Sequence, residues 1–152
     1  MRGSKLWIIL IITIAFLWVD TPPVFAVEYK DIENVMFVDN YDGDTITVII
    51  EGWPDIIGNM MPIRVEGVDT PERRAKCKNE KLMAFIAKRF VYSELMNAKN
   101  IKILNPKRGK YFRIVGDVEY DGKLLSMELL KKEYAYPYEG GTKQNPWCEN
   151  TP

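Results

Sequence analysis

The chain reads as an α+β domain built on a small antiparallel β-barrel, and three observations predict it. Five short apolar runs have strand character, and two stretches place apolar residues at helical spacing. Their order, three strands, a helix, two strands and a helix, lacks the strand-helix alternation of a parallel sheet. A length of 152 residues, 47% of them hydrophobic and 28% charged, suits one globular domain with a sizeable core.

Residues 1–26 stand apart from that domain. Arg2 and Lys5 precede the apolar run LWIILIITIAFLWV, which is shorter than the ~20 residues needed to cross a bilayer. The run ends in DTPPVFA, where Val24 and Ala26 are the small residues of a signal-peptidase site. A signal peptide over 1–26 and a mature domain over 27–152 are expected, which makes the protein periplasmic or secreted. An uncleaved membrane anchor is the alternative.

Within the mature chain, VMFVDNYDGDTITVIIEG gives strands over 35–38 and 45–50, with Asp42 and Gly43 as the turn between them. Residues 61–68 make a third strand. From 79 to 96, Leu82, Phe85, Ile86, Phe90 and Leu95 keep helical spacing with no Gly or Pro between them. Strands over 101–104 and 113–120 follow, split by the polar NPKRGK loop. Asp121 and Gly122 then turn the chain into a second helix over 124–134, and the tail PYEGGTKQNPW looks irregular.

Acidic and basic side chains balance at 21 each, so no overall field draws the chain to DNA or an anionic membrane. The absence of histidine excludes a Ser-His-Asp triad, a histidine base and a His-ligated zinc or iron site. The two cysteines, Cys77 and Cys148, are too far apart for a CxxC motif, so chemistry must fall to carboxylates, arginines and tyrosines, with a hard, oxygen-liganded cation allowed. Export favours a Cys77–Cys148 bridge over two unpaired thiols, and closing so long a loop is worth roughly 4 kcal/mol in the chain-entropy account.

The stretch IRVEGVDTPERR carries the most charge at a strand end. Taken alone, Thr70, Pro71 and Glu72 suit a helix start, as N-cap, first helical residue and acid facing the positive end of the helix dipole. Asp44, past its turn, lies where an apolar or β-branched residue packs better. Arg64 and Asp69 are an odd number of positions apart, so an unbroken strand would point them to opposite faces. Gly67 is the expected break, because it can take the backbone conformation a bulge or sharp twist requires.

The motifs DGDT, R-x4-D-T-P-E and KYFR follow one another in order, and jointly they resemble the staphylococcal nuclease-like (thermonuclease) family over about residues 35–138. The resemblance implies an OB-fold, a five-stranded antiparallel barrel with two or three α-helices. It makes Asp44, Asp69 and the Thr70 carbonyl ligands of Ca2+, and it gives Arg64, Glu72 and Arg113 the catalytic positions. Calcium suits such a shell of carboxylate and carbonyl oxygens. Tyr111 and Tyr138 become substrate-binding candidates. Phe112 departs from the pattern, standing where the family has glycine. The cysteine after TPE and the late Trp147-Cys148 are similar to a subgroup of exported bacterial members, in which the tail is tied back near Cys77.

The implied function is a calcium-dependent nuclease acting on DNA and RNA with low sequence specificity, preferring single strands and leaving 3'-phosphates. It is expected to work as a monomer without a stable protein partner. Two other readings compete with it: a non-catalytic OB-fold module that binds nucleic acid or a protein, and a structural domain stabilised by calcium.

Overall fold

The computed structural model describes residues 29–143 and 145–149; the expected signal peptide lies outside the described residues. Strand β1 (Val35–Asn40) pairs antiparallel with β2 (Thr45–Ile50), and β2 pairs antiparallel with β3 (Met61–Val65). The period of two is plain in their burial. Ile46, Val48 and Ile50 on β2, and Met61, Ile63 and Val65 on β3, point into the core, leaving Arg64 on the outer face. A single helical turn, α1 (Asp55–Gly58), joins β2 to β3.

A second hairpin, β5 (Ile101–Arg108) with β6 (Ile114–Tyr120), adds to the same sheet in the order β1-β2-β3-β6-β5, with β7 (Lys123–Leu124) on β6. The pairing of β3 with β6 is parallel, an exception to the antiparallel barrel expected. A parallel neighbour needs a crossover, and the helix α2 (Lys78–Asn97) lies on that crossover. An antiparallel bridge between Ile32 and Ile103 brings the lead-in to β1 against β5, so the two ends of the curled sheet meet. The result is an α+β OB-fold whose core is filled by Ile46, Ile63, Ile103, Leu125 and Leu129.

The third strand ends earlier than the apolar pattern predicts. Regular pairing stops at Val65, Gly67 takes a φ of 77°, and β4 (Val68–Asp69) pairs instead with β8 (Tyr136–Pro137) in a separate two-stranded sheet. The break falls at the expected glycine. The segment Thr70–Pro71–Glu72, in contrast, starts no helix; α2 begins at Lys78, with Cys77 as N-cap accepting from Glu80 N at 3.5 Å. The Thr70 side chain is turned to the DGDT loop instead, its N–H and its hydroxyl both donating to Asp44.

The buried face of α2 also differs from the expected one. Glu80, Ala84, Ala87, Val91 and Leu95 are buried, whereas Leu82 and Phe85 are 57% and 59% exposed. Both sets have helical spacing, and close approach decides between them. A Cβ added at Gly43 would lie 3.0 Å from Ala87 Cβ, so only small residues let the DGDT loop and the helix meet.

Helix α3 (Leu125–Lys131) is shorter than the predicted 124–134 and gives way to Glu133, which has a φ of 57°. The tail, expected to be irregular, contains β8 and a last turn, α4 (Pro146–Glu149), whose Cys148 is bonded to Cys77.

Candidate active site

The register of β2 and β3 sets Thr45 opposite Arg64, which brings the neighbouring Asp44 within reach of the guanidinium. Arg64 Nη1 lies 2.7 Å from Asp44 Oδ1, and Nη2 lies 3.2 Å from Asp69 Oδ1. The turn at Gly67 makes the second contact possible, since it carries Asp69 back under a side chain that an unbroken strand would hold on the opposite face. Asp44 Oδ2 accepts from both Thr70 N and Thr70 Oγ1 at 2.8 Å. The Asp44 loop and both sides of the turn at Gly67 are thereby locked together through charge-assisted hydrogen bonds.

Smaller residues fix the loop that bears Asp44. Asp42 Oδ1 accepts from Asp44 N at 3.1 Å, and Asn40 Nδ2 donates to Asp42 O and Lys88 O, pinning the loop to α2. Gly43 is needed for close approach rather than for its backbone angle. A Cβ there would come 2.7 Å from Thr70 Cγ2, so a side chain would push the Asp44 loop off Thr70.

Electrostatically the cluster is short of positive charge. Burial, and then the negative charge of Asp44, push the Asp42 carboxyl up to about 7. Asp69 is also raised, chiefly by burial, although Lys143 and Arg64 pull the other way. Asp44 and Asp69, both turned to Arg64, offer hard carboxylate oxygens, and Thr70 is tied to Asp44 through its N–H and hydroxyl. These residues fit a calcium-sized cation, which takes carboxylate and carbonyl oxygens in a flexible shell.

Glu72 reaches the same cluster through a residue that sequence reasoning missed. Lys143 Nζ lies 2.7 Å from Asp69 Oδ1 and 2.6 Å from Glu72 Oε1, bridging the two carboxylates. These contacts raise the Lys143 pKa well above its ordinary value, against the opposing effect of burial. The flanking arginines do not take this place; Arg73 donates to Tyr41 O and lies 5.0 Å from that ring. A lone lysine in a tail without periodicity gives no sequence signal. Its one hint is the nearby Cys148, whose bond to Cys77 returns the tail to this side of the barrel. Glu80, also missed, accepts from Glu72 N at 3.1 Å. Its signal is a carboxylate on the buried stripe of α2.

Arg113 is brought near in backbone but not in contact. Val115 is the register partner of Arg64, so Arg113 stands one strand away and two residues earlier. Among the described residues it has no ion-pair partner, its Nε is buried without a hydrogen bond, and it lines a cavity of about 600 Å³ with Trp53, Met61, Phe112 and Ile114. Tyr111 and Phe112, at φ 57° and 54°, form a left-handed pair just before it. Tyr111 is 88% exposed. Tyr138 lies next to the site because its N–H donates to Gly67 O, but its hydroxyl donates to Gly141 O within the tail. Tyr134 and Tyr136 pack edge-on against Phe90 and Trp147.

Comparison with known proteins adds a family to this geometry. Residues 62–149, more than half of the chain, match the model described as staphylococcal nuclease homologue. Endonuclease YncB of Bacillus subtilis (strain 168) is 33% identical over 123 residues, 75% of this chain and 54% of the relative. Probable endonuclease LCL3 of Podospora anserina is 33% identical over 94 residues, 58% of this chain and 34% of that protein. The chain thus spans between about a third and about half of the length of these relatives. With the fold, the strand break at Gly67 and the family match in agreement, the chain belongs to the staphylococcal nuclease homologue family.

Proposed function

We propose that this protein is an exported, calcium-dependent nuclease that hydrolyses phosphodiester bonds in DNA and RNA with little sequence preference. The observation that carries the reading is Arg64 held between Asp44 and Asp69, with Glu72 gathered beside Asp69 by Lys143. Two relatives named as endonucleases support it.

Hydrolysis requires a water to lose a proton as its oxygen bonds to phosphorus, while the bond from phosphorus to the leaving oxygen breaks. Glu72, half exposed on the rim and held through Oε1 by Lys143, is the carboxylate that takes that proton as general base. Arg64 presents a guanidinium fork to the non-bridging oxygens, where negative charge accumulates. Arg113 supplies a second fork just ahead of the neighbouring strand β6, and the lack of an ion-pair partner for it among the described residues suits a group that pairs with substrate. Bound by Asp44, Asp69 and the Thr70 carbonyl, calcium would supply the positive charge that polarises the phosphate.

Low sequence specificity follows if contacts go to phosphates and to bases stacked on the exposed Tyr111, a preference that also favours single strands. The 3'-phosphate product is proposed from family resemblance. Export is supported by the Cys77–Cys148 bond, which belongs to oxidising surroundings. The test is digestion of heat-denatured DNA by residues 27–152, with calcium or with chelator, beside Glu72→Gln. Calcium-dependent cleavage that the variant lacks is expected. Cleavage under chelation, or an active variant, would overturn the mechanism.

A further inference from the structure

Glu80 is a buried carboxylate that the mechanism above does not use. It is 3% exposed and, among the described residues, has no ion-pair partner. Such a group is costly to bury unless hydrogen bonds satisfy it, and an apolar residue would otherwise serve on that helix stripe. Each of its oxygens is engaged. Oε1 accepts from Glu72 N at 3.1 Å, while Oε2 accepts from Asn145 Nδ2 at 2.7 Å and lies 3.2 Å from Cys148 Sγ. Its own N–H donates to Cys77 Sγ. The neighbouring Asn79 donates to Trp147 O at 2.9 Å. Glu80 therefore stands where the first turn of α2, the cross-linked tail and the backbone of Glu72 meet.

We propose that Glu80 is a positioning residue for Glu72, through which the disulfide-tied tail sets the place of the catalytic carboxylate. The inference rests on the reading of Glu72 as the base. Glu72 lies in a loop outside any helix or strand, so little else holds its backbone: Ala75 N donates to Glu72 O, and Glu80 takes Glu72 N. The tail fixes this residue at both ends. Asn145 steadies the carboxylate that holds the Glu72 backbone, and Lys143, two residues earlier, holds the Glu72 side chain. A displacement of the base by about 1 Å is enough to cost a large factor in rate without loss of substrate binding.

The experiment compares wild type, Glu80→Ala, Glu80→Gln, Asn145→Ala and Glu72→Gln by kcat and KM on heat-denatured DNA, with calcium affinity from calorimetry. Glu80→Ala is expected to lower kcat about tenfold to a hundredfold. KM and the calcium Kd should stay within about twofold, because neither Asp44 nor Asp69 touches Glu80. Glu80→Gln keeps a carbonyl for Glu72 N–H and should recover most of the loss. Asn145→Ala should give a smaller drop of the same kind, and it carries the test if Glu80→Ala does not fold. A kcat that falls only with the folded fraction, a Gln variant as impaired as Ala, or an equal loss of calcium binding overturns the proposal. Should Glu72→Gln be inactive while the Glu80 and Asn145 variants keep full kcat, the inference about Glu80 alone has failed. Should Glu72→Gln be active, the reading of the base itself has failed, and the proposal goes with it.

Discussion

Arg64, on β3, and Arg113, on the loop that leads into the neighbouring β6, are both assigned to the phosphate, yet their surroundings differ. Arg64 sits on a strand paired on both sides and is clamped by two carboxylates at 2.7 and 3.2 Å. Arg113 follows two left-handed residues at the end of a loop, and its buried Nε has no hydrogen-bond partner among the described residues. One guanidinium is placed by the fold before any substrate arrives, whereas the other has its hydrogen bonds still to make. Stability and activity should therefore be coupled at Arg64 and separable at Arg113.

The largest effect expected is on activity. Arg64→Ala and Arg113→Ala should each lower kcat/KM on denatured DNA, on the order of 10²–10³-fold. In denaturant melts the two should part company. Losing Arg64 leaves buried carboxylates short of a partner and costs about 3–5 kcal/mol, while Arg113→Ala stays within about 0.5 kcal/mol. Equal destabilisation by both would break the contrast. Calcium sharpens it: at a hundredfold excess over Kd the metal should stabilise wild type by about 2.7 kcal/mol, seen as a thermal shift that chelator reverses. Arg113→Ala should keep that shift, and Asp69→Asn should lose most of it.

Gly43→Ala probes the carboxylate side alone. The added methyl meets Thr70 Cγ2 at 2.7 Å, and overpacking of this kind costs about 1–3 kcal/mol in a melt, with weakened calcium binding. Phe112→Gly probes the other side and should have the smallest effect. Relief of a left-handed conformation is worth about 1 kcal/mol, partly offset by the contact with Arg108, whose guanidinium lies 6.0 Å from the Phe112 ring. A melting temperature that falls in Phe112→Gly would show that the loop is held by the ring and not against its backbone preference.

Much of the barrel was legible because burial alternates on a period of two, as at Ile46, Val48 and Ile50. The break at Gly67 was legible from parity alone, since Arg64 and Asp69 cannot share a face of one continuous strand. The long helix was legible to within a residue at each end, but Thr70, Pro71 and Glu72, good helix-start residues by type, start none: Thr70 turns its N–H and hydroxyl to Asp44, and Cys77 caps α2. That competition is settled by tertiary contact, which local propensity does not contain. Lys143 owes its role to the return of the tail and belongs to no local pattern, whereas Glu80 stands out only as a carboxylate on the buried stripe of α2, its partners coming from the tail and the Glu72 loop.

The parallel neighbour of β3 has one more consequence. Arg64 obtains its second flanking strand only from Val115, on the far side of the long helix, so the ladder beneath the guanidinium cannot close until most of the chain exists. Contacts so distant in sequence form late and slowly. The β1–β2 hairpin therefore leaves the ribosome well before its partner strand does, and the proposed catalytic centre is among the last parts of the newborn domain to take shape.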